Sequence, residues 1–199
     1  MKGAMRIKGS LEIICGPMFS GKSEELIRRI RRAKIAKQRV AVYKHSLDNR
    51  TSIEHIASHN GTTIAAMHTK EVQVILDDVA AQETDIVGID EVQFYSHDII
   101  SAIHALVNKG KQVIVAGLDT DFRGVPFGPI PTLLAIADTV LKLQAICSLC
   151  GYDAHHSQRL INGKPARFND PIILIGAQEA YQARCRDCFE IDLVPMHWK

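Results

Sequence analysis

The chain has 199 residues, of which 46% are hydrophobic and 23% are charged. This size and composition exclude a disordered or low-complexity chain and allow one main domain with a small appendage. The formal net charge of +2 gives no argument for nucleic acid or an anionic membrane as a partner, and the odd count of 5 cysteines argues against a complete disulfide framework.

The N-terminal segment does not have the pattern of an export signal. Its apolar run at 11–15 is interrupted by Glu12 and ends at a glycine-rich stretch, whereas a signal peptide needs a longer apolar stretch and a small-residue cleavage site. No apolar run reaches the ~18 residues of a membrane span. We therefore expect a cytoplasmic protein with no membrane partner, whose thiols stay reduced unless a metal binds them.

Short apolar runs alternate with amphipathic segments along the first part of the chain. This alternation predicts an α/β fold with a parallel sheet covered on both faces. The run at 11–15 predicts the first strand, and 23–38 predicts the first helix. The later predicted elements are, in chain order, a strand at 40–43, a polar loop at 45–60, a strand at 62–67, a helix at 71–81, a strand at 85–90, a helix at 98–108 and a strand at 111–116.

The character of the sequence changes near Cys147. From there to the end, the chain contains four of its five cysteines, few long apolar runs, and turn signals at 162–163 and 169–171. A segment this short does not build a sufficient core of its own, so we expect a metal to stabilise it. The predicted organisation is an α/β domain at 1–146 and a small metal-stabilised subdomain at 147–199.

The segment 16–23 matches the phosphate-loop pattern G-x-x-x-x-G-K-[ST]. It lies between a predicted strand and a predicted helix, where backbone N–H groups and the helix N-terminus can face phosphate oxygens. In such a loop Lys22 reaches the β- and γ-phosphates of ATP, and the Ser23 hydroxyl is a ligand of Mg²⁺. The predicted ATP-binding residues here are Gly16, Pro17, Met18, Phe19, Ser20, Gly21, Lys22 and Ser23.

An acidic pair ends the predicted strand at 85–90. We expect Asp90 at the carboxyl edge of the sheet beside the phosphate loop, where it would bind Mg²⁺ together with Ser23. A carboxylate next to that acid is well placed to take a proton from an attacking hydroxyl or water, which makes Glu91 the predicted catalytic base. The alternative is that Glu91 is a solvated residue at the start of a helix.

Two C-x-x-C pairs, Cys147 with Cys150 and Cys185 with Cys188, lie in the C-terminal segment. They predict a tetrahedral site in which four thiolates bind a structural Zn²⁺. Two disulfides or a redox-active pair are the alternatives, and both fit a cytoplasmic chain less well. Cys15, on the first predicted strand, is interpreted as a small buried residue.

Several motifs occur in a fixed order along the chain. They are Gly-Pro-Met-Phe-Ser-Gly-Lys-Ser at 16–23, Asp-Glu-Val-Gln-Phe at 90–94, Ala-Gly-Leu-Asp-Thr-Asp-Phe at 116–122, and the two cysteine pairs. Together they resemble the zinc-containing (type II) thymidine kinases. The resemblance extends over about 10–193, and Ser157-Gln-Arg159 and Glu179-Ala-Tyr181 belong to it.

The resemblance implies a RecA-like domain with a small zinc subdomain, assembled as a homotetramer. It implies transfer of the ATP γ-phosphoryl group to the 5′-hydroxyl of thymidine, and of deoxyuridine, in deoxynucleotide salvage. Glu91 matches the family's catalytic base and Asp90 its magnesium-associated acid, and the ATP-binding set also includes Val92 and Gln93. A lasso loop at about 159–181 would close over the base, and thymidine triphosphate would inhibit the enzyme. The residues implied to line the nucleoside site are Met18, Asp48, Leu118, Phe122 and Tyr181, with Ser157 near the thymine methyl group.

A nucleic-acid-dependent P-loop ATPase is the alternative from another class. The basic segment 23–44 could follow a phosphate backbone. However, a helicase normally needs two such cores, and a solvated helix face whose arginine stems cover apolar surface explains these charges better. A non-catalytic zinc adaptor that binds nucleotide is a third possibility, which the presence of Glu91 disfavours. We therefore expect no nucleic-acid partner.

Overall fold

The structure is a computed structural model that describes residues 9–46, 55–57, 63–173 and 179–191. A short 3₁₀ turn at Val92–Phe94 lies just after the strand that ends at Asp90. The helices and strands are, in chain order, β1 (Ser10–Cys15), α1 (Lys22–Ile35), β2 (Val40–Lys44), β3 (His55–Ala57), β4 (Thr63–Ala65), β5 (Met67–His68), α2 (Val72–Ala81), β6 (Ile86–Asp90), α3 (Asp98–Asn108), β7 (Gln112–Gly117), α4 (Ile130–Ile136), β8 (Thr139–Lys142), β9 (Ala145–Ile146), β10 (Asp153–Ala154), β11 (His156–Ile161), β12 (Lys164–Pro165) and β13 (Glu179–Arg184).

The main sheet of the described chain has six parallel strands in the order β5-β2-β6-β7-β1-β8. β7 lies between β1, which leads into the phosphate loop, and β6, which ends at Asp90. Because the strands are parallel, their carboxyl ends meet at one edge of the sheet. The predicted α/β fold with a parallel sheet is confirmed, and the topology brings the phosphate loop and the acidic pair to the same edge.

Apolar side chains cover both faces of the main sheet. On one face, Leu26 and Ile30 of α1 pack with Ile14 and Ile114 of the strands. On the other face, residues of α2, α3 and α4 pack against the alternate positions of the same strands. Strands that are buried on both faces have nearly continuous apolar sequences, and this explains why β1, β6 and β7 were predicted correctly.

Three predicted elements require correction. The loop predicted at 45–60 is wrong in part, because β3 lies within it and pairs antiparallel with β4. The strand predicted at 62–67 is divided, since β4 joins β3 whereas β5 pairs with β2 at the edge of the main sheet. The helix predicted to reach residue 38 ends at Ile35, and Lys37 has a left-handed backbone with φ of 58°, which cannot continue a helix.

The seven described elements after β7, from α4 to β13, were not predicted individually from the sequence, and two of them, α4 and β8, pack with or join the main sheet. Helix α4 has a proline in its first turn, where the missing N–H would have no helical partner in any case. The prolines around it hide the helical pattern. Strand β8 lies at the edge of the sheet and is mostly exposed, so it lacks the apolar run of a central strand.

The C-terminal part forms two small antiparallel sheets, β10-β9 and β12-β11-β13. Among the described residues of this part, one cluster of small buried side chains is made of Ala145, Cys147, Ala154, Ala183 and Cys185, with Cys188 packed against them. A cluster of this size buries little apolar surface, as expected for a unit that depends on a metal. The division of the chain at 146 and 147 stays a prediction, and β9 lies directly before that point.

Candidate active site

The loop between β1 and α1 is shaped by a glycine at each of its ends. Gly16 has φ of +138°, and a Cβ on it would lie 2.3 Å from the backbone oxygen of Leu143. Gly21 has φ of +83° directly before the helix. The Ser20 hydroxyl and the Lys22 ammonium group both donate to the carbonyl oxygen of Pro17, at 2.8 and 2.7 Å. The loop is therefore closed on itself and holds the lysine against its backbone.

The charge of Lys22 is balanced by carboxylates from the neighbouring strands. Burial lowers the pKa of Lys22, while the charges of Glu91, Asp90 and Asp119 act in the opposite direction. Asp90 ends β6 and Glu91 follows it, whereas Asp119 follows β7, the strand that lies between β6 and β1. The carboxyl edge of the sheet thus combines Lys22 and the buried Lys44 with several acids, an arrangement typical of sites that handle phosphate and a divalent cation.

Asp90 connects the acidic pair to the phosphate loop. Its side chain is 2% exposed, and its Oδ2 accepts a hydrogen bond from the Ser23 hydroxyl at 3.0 Å. Burial raises the pKa of Asp90, and the neighbouring charge of Glu91 raises it further. A hydroxyl and a carboxylate side by side are oxygen ligands of the kind that Mg²⁺ prefers, so these two residues fit the predicted magnesium site.

Glu91 has an unusual backbone conformation at the end of β6. Its φ of 55° and ψ of 40° are left-handed, which is uncommon for a residue other than glycine. The amide of Gln93 donates a hydrogen bond from Nε2 to Glu91 Oε2 at 2.6 Å. Backbone strain of this kind persists where the surroundings fix it, and it occurs often at functional sites. Glu91 is half-buried at the start of a 3₁₀ turn and accepts a hydrogen bond from the buried Gln93, and its role as the base stays a prediction.

The structure brings most of the predicted nucleoside-lining residues to segments that contact one another. The backbone N–H of Leu118 donates to Gln93 Oε1 at 3.1 Å, beside Glu91. Phe122 is buried, and the Arg159 guanidinium lies 4.4 Å from its ring centroid. Arg159 in turn is the cross-strand neighbour of Tyr181. Asp48 lies outside the described residues.

Met18 connects the phosphate loop to the C-terminal part of the chain. Its backbone N–H donates to Ser157 Oγ on β11 at 2.9 Å. The sequence indicated Ser157 only through its resemblance to a position near thymine, and its bond to the loop was not predicted. A second unpredicted link is the ion pair between Lys142 Nζ and Asp119 Oδ2 at 2.9 Å, which joins β8 to the segment after β7. Asp119 lies within the motif at 116–122, so the sequence contained a signal for it.

The four cysteines of the two C-x-x-C pairs lie together as a candidate metal site. Their sulfur atoms are all within 4.8 Å of one another. A tetrahedral zinc site with Zn–S bonds of ~2.3 Å places its sulfurs ~3.8 Å apart, so the cluster fits this ion. Burial opposes ionisation of the Cys147 thiol, but hydrogen bonds from backbone N–H groups of both pairs lower its pKa to about 6. By contrast, hydrogen bonds with Cys185 and Cys150 raise the pKa of Cys188 to about 12. The four cysteines are free thiols in the structure.

The basic face of α1 is partly neutralised within the protein. Arg28 forms an ion pair with Glu25 at 2.7 Å, and Arg29 pairs with Glu12 at 2.6 Å and also with Glu25. This agrees with the interpretation of a solvated helix face. Cys15 is fully buried, as expected.

None of the helices in the described ranges combines the length and apolar character needed to cross a membrane. Residues 9–189 match the family model described as thymidine kinase. The match covers nearly the whole chain, including the phosphate loop, the acidic pair and the cysteine cluster.

Proposed function

The chain belongs to the thymidine kinase family, and we propose that it transfers the γ-phosphoryl group of ATP to the 5′-hydroxyl of thymidine, and of deoxyuridine. Membership supports a phosphotransferase that phosphorylates nucleosides, and the family implies thymidine and ATP as its substrates. The observation that carries the finer proposal is the hydrogen bond from Ser23 to Asp90, with Glu91 next in the chain. It joins the phosphate loop to Asp90, the residue directly before the candidate base, at one edge of the sheet.

In the proposed reaction, each group at this edge has one task. Backbone N–H groups of 16–23 and the ammonium group of Lys22 bind the phosphates of ATP. Ser23 and Asp90 would hold Mg²⁺, which supplies positive charge to the phosphate oxygens when bound. Glu91 accepts the proton of the 5′-hydroxyl while the hydroxyl oxygen forms a bond to the γ-phosphorus. The bond from that phosphorus to the β,γ-bridging oxygen breaks, ADP leaves, and the proton passes from Glu91 to solvent.

The nucleoside would lie between the sheet edge and the C-terminal part. Met18, Leu118, Phe122 and Tyr181 would line its site, and Asp48 would lie near the sugar. The segment at about 159–181 would cover the base and exclude water, which otherwise competes as phosphoryl acceptor. The link between Met18 and Ser157 supports this arrangement, because it holds the loop that binds ATP against the sheet that leads into this segment.

The remaining properties follow from the same assignment. Four thiolates leave no open position on a tetrahedral zinc ion, so the zinc at Cys147, Cys150, Cys185 and Cys188 would be structural. We propose a cytoplasmic homotetramer that thymidine triphosphate inhibits. We also propose the division into a nucleotide-binding domain at 1–146 and a zinc-binding lid at 147–199.

A steady-state ADP-release assay separates this function from the nucleic-acid-dependent ATPase. The protein is incubated with ATP and Mg²⁺, alone, with thymidine, or with single-stranded DNA. The kinase assignment predicts that thymidine stimulates ADP release and that the DNA does not. Stimulation by DNA without stimulation by thymidine would establish the ATPase instead.

A further inference from the structure

We infer that Gln93 is a positioning residue that holds the carboxylate of Glu91 in one orientation for proton transfer. This inference rests on the proposed function, since it takes Glu91 as the base. Gln93 is 2% exposed, and both ends of its amide are engaged. Nε2 donates to Glu91 Oε2 at 2.6 Å, and Oε1 accepts from the backbone N–H of Leu118 at 3.1 Å.

The two partners of Gln93 determine which way its amide faces. A carboxylate oxygen can only accept, and a backbone N–H can only donate, so the nitrogen must face Glu91 and the oxygen must face Leu118. A glutamate here would keep the acceptor for Leu118 but present a second negative charge to Glu91. A methionine has a similar length and offers neither the donor nor the amide oxygen. The bridge therefore requires the chemistry of an amide as well as its size.

The backbone on both sides of the bridge is fitted to Gln93. The left-handed Glu91 starts a 3₁₀ turn, closed by a hydrogen bond from Phe94 N to Glu91 O at 3.1 Å, which brings the side chain two residues later back to the carboxylate. On the other side lies Gly117, where a Cβ would be 2.6 Å from Gln93 Oε1. The same Cβ would be 3.0 Å from side-chain atoms of Ile130 and Val92. The last residue of β7 therefore leaves the space that the amide occupies.

This arrangement joins the proposed base to the segment proposed to line the nucleoside site. Glu91 follows β6 and Leu118 follows β7, and these strands are neighbours in the sheet. The side chain of Gln93 connects these two residues, because it bonds to both. A carboxylate held from one of its oxygens has fewer orientations available, and productive geometry of this kind is worth up to ~10²-fold in rate for a displacement of ~1 Å.

A double-mutant cycle on kcat tests the inference. Gln93→Met should lower kcat by ~10–10²-fold, a larger change than in the KM values for ATP and thymidine, because the main loss is in the orientation of the base. If Gln93 acts through Glu91, the same substitution in the Glu91→Gln protein should change kcat by less than about twofold, since residues that act as a unit are not additive. Gln93→Glu should behave as Gln93→Met does, although it keeps the acceptor for Leu118.

Gln158→Met is the matched control for loss of a buried, fully bonded glutamine. Gln158 is also 2% exposed, and its amide donates to Arg159 O and accepts from Glu190 N. If Gln158→Met lowers kcat, the double variant with Glu91→Gln should show the product of the two single fold-changes, because Gln158 does not act through Glu91. A second variant, Gly117→Ala, displaces the Gln93 amide without changing it and should show the same non-additivity as Gln93→Met.

The possible results are distinct. Full multiplication of the Gln93→Met and Glu91→Gln effects, or a Gln93→Glu protein with wild-type kcat, would overturn the positioning role and leave the proposed function standing. A Glu91→Gln protein with wild-type kcat would overturn the positioning role and the assignment of Glu91 as the base, because Gln93 would then have no base to position. The absence of thymidine phosphorylation by the wild type would instead overturn the proposed function. The inference would be supported if the effects on kcat of Gln93→Met and Gly117→Ala are non-additive with that of Glu91→Gln, while the effect of Gln158→Met is additive with it.

Discussion

Ser157 Oγ on β11 accepts a hydrogen bond of 2.9 Å from the backbone N–H of Met18 in the phosphate loop, and the two residues are 139 positions apart in the sequence. The loop proposed to bind ATP is thereby attached to the sheet that leads into the proposed lasso. We expect nucleotide and nucleoside sites to be mechanically connected through this contact. It is a contact of the backbone, so it does not depend on the identity of residue 18.

Ser157→Ala should lower the free energy of unfolding. The Ser157 side chain is 2% exposed, and its loss removes the acceptor for Met18, which costs about 1 kcal/mol for a typical hydrogen bond. Urea unfolding of the whole chain measures the difference. Ser157→Thr keeps the hydroxyl and is the matched control, with a smaller loss expected. Equal stability of Ser157→Ala and wild type would show that the contact contributes nothing.

Glu91→Gln should leave ATP binding nearly intact and lower turnover by ~10²–10⁴-fold, the usual contribution of a positioned general base. Glu83→Gln is the matched control, because Glu83 also has a left-handed backbone but lies exposed before β6, away from the site. Steady-state kinetics with thymidine and a nucleotide-binding titration give the two quantities. If the Glu91 variant keeps more than about half of wild-type kcat, the assignment of the base is wrong.

Lys22→Ala should reduce kcat more than it raises the KM for thymidine. The ammonium group compensates charge that develops on the transferred phosphoryl group, so its loss affects the transition state. Lys34→Ala, on the exposed part of the same helix, should change neither constant. A Lys22 variant with normal kcat and only a raised thymidine KM would contradict this role.

Cys185→Ser should separate the two parts of the chain. Structural zinc sites contribute ~10–16 kcal/mol of apparent binding free energy in small peptides, so the C-terminal part should lose its fold without the metal. The α/β sheet has its own core on both faces and should still bind ATP. Because β13 carries Tyr181 and ends directly before Cys185, little kinase activity should remain.

Metal analysis and limited proteolysis check this expectation. The wild type should contain one zinc per chain, and the Cys185 variant should gain protease cleavage only after about residue 147. Cys15→Ala is the matched control, because Cys15 lies on β1 outside the cluster. The Cys15→Ala protein should retain its zinc. A zinc-free wild type with full activity would refute a structural role for the metal.

The sequence predicted the parts of the site that are contiguous along the chain. The phosphate loop, Asp90 with Glu91, and each cysteine pair occupy short segments whose spacing reflects their chemistry, and the apolar runs of β1, β6 and β7 place two of them at one sheet edge. Contacts between distant segments were not predictable in this way. The bond between Met18 and Ser157 and the bridge from Gln93 to Leu118 depend on packing and not on local pattern. Strand β8 was missed because an exposed edge strand needs no apolar run.

The position of phosphorylation tests the central claim most directly. The protein is incubated with ATP, Mg²⁺ and either 3′-deoxythymidine or 5′-deoxythymidine, and the nucleoside product is identified by mass spectrometry. The account predicts that 3′-deoxythymidine, which keeps the 5′-hydroxyl, gains one phosphoryl group while ADP forms in equal amount, and that 5′-deoxythymidine is not phosphorylated. Phosphorylation of 5′-deoxythymidine would contradict the account. ADP release with 3′-deoxythymidine that yields no phosphorylated nucleoside would contradict it as well, if thymidine in the same assay also yields none.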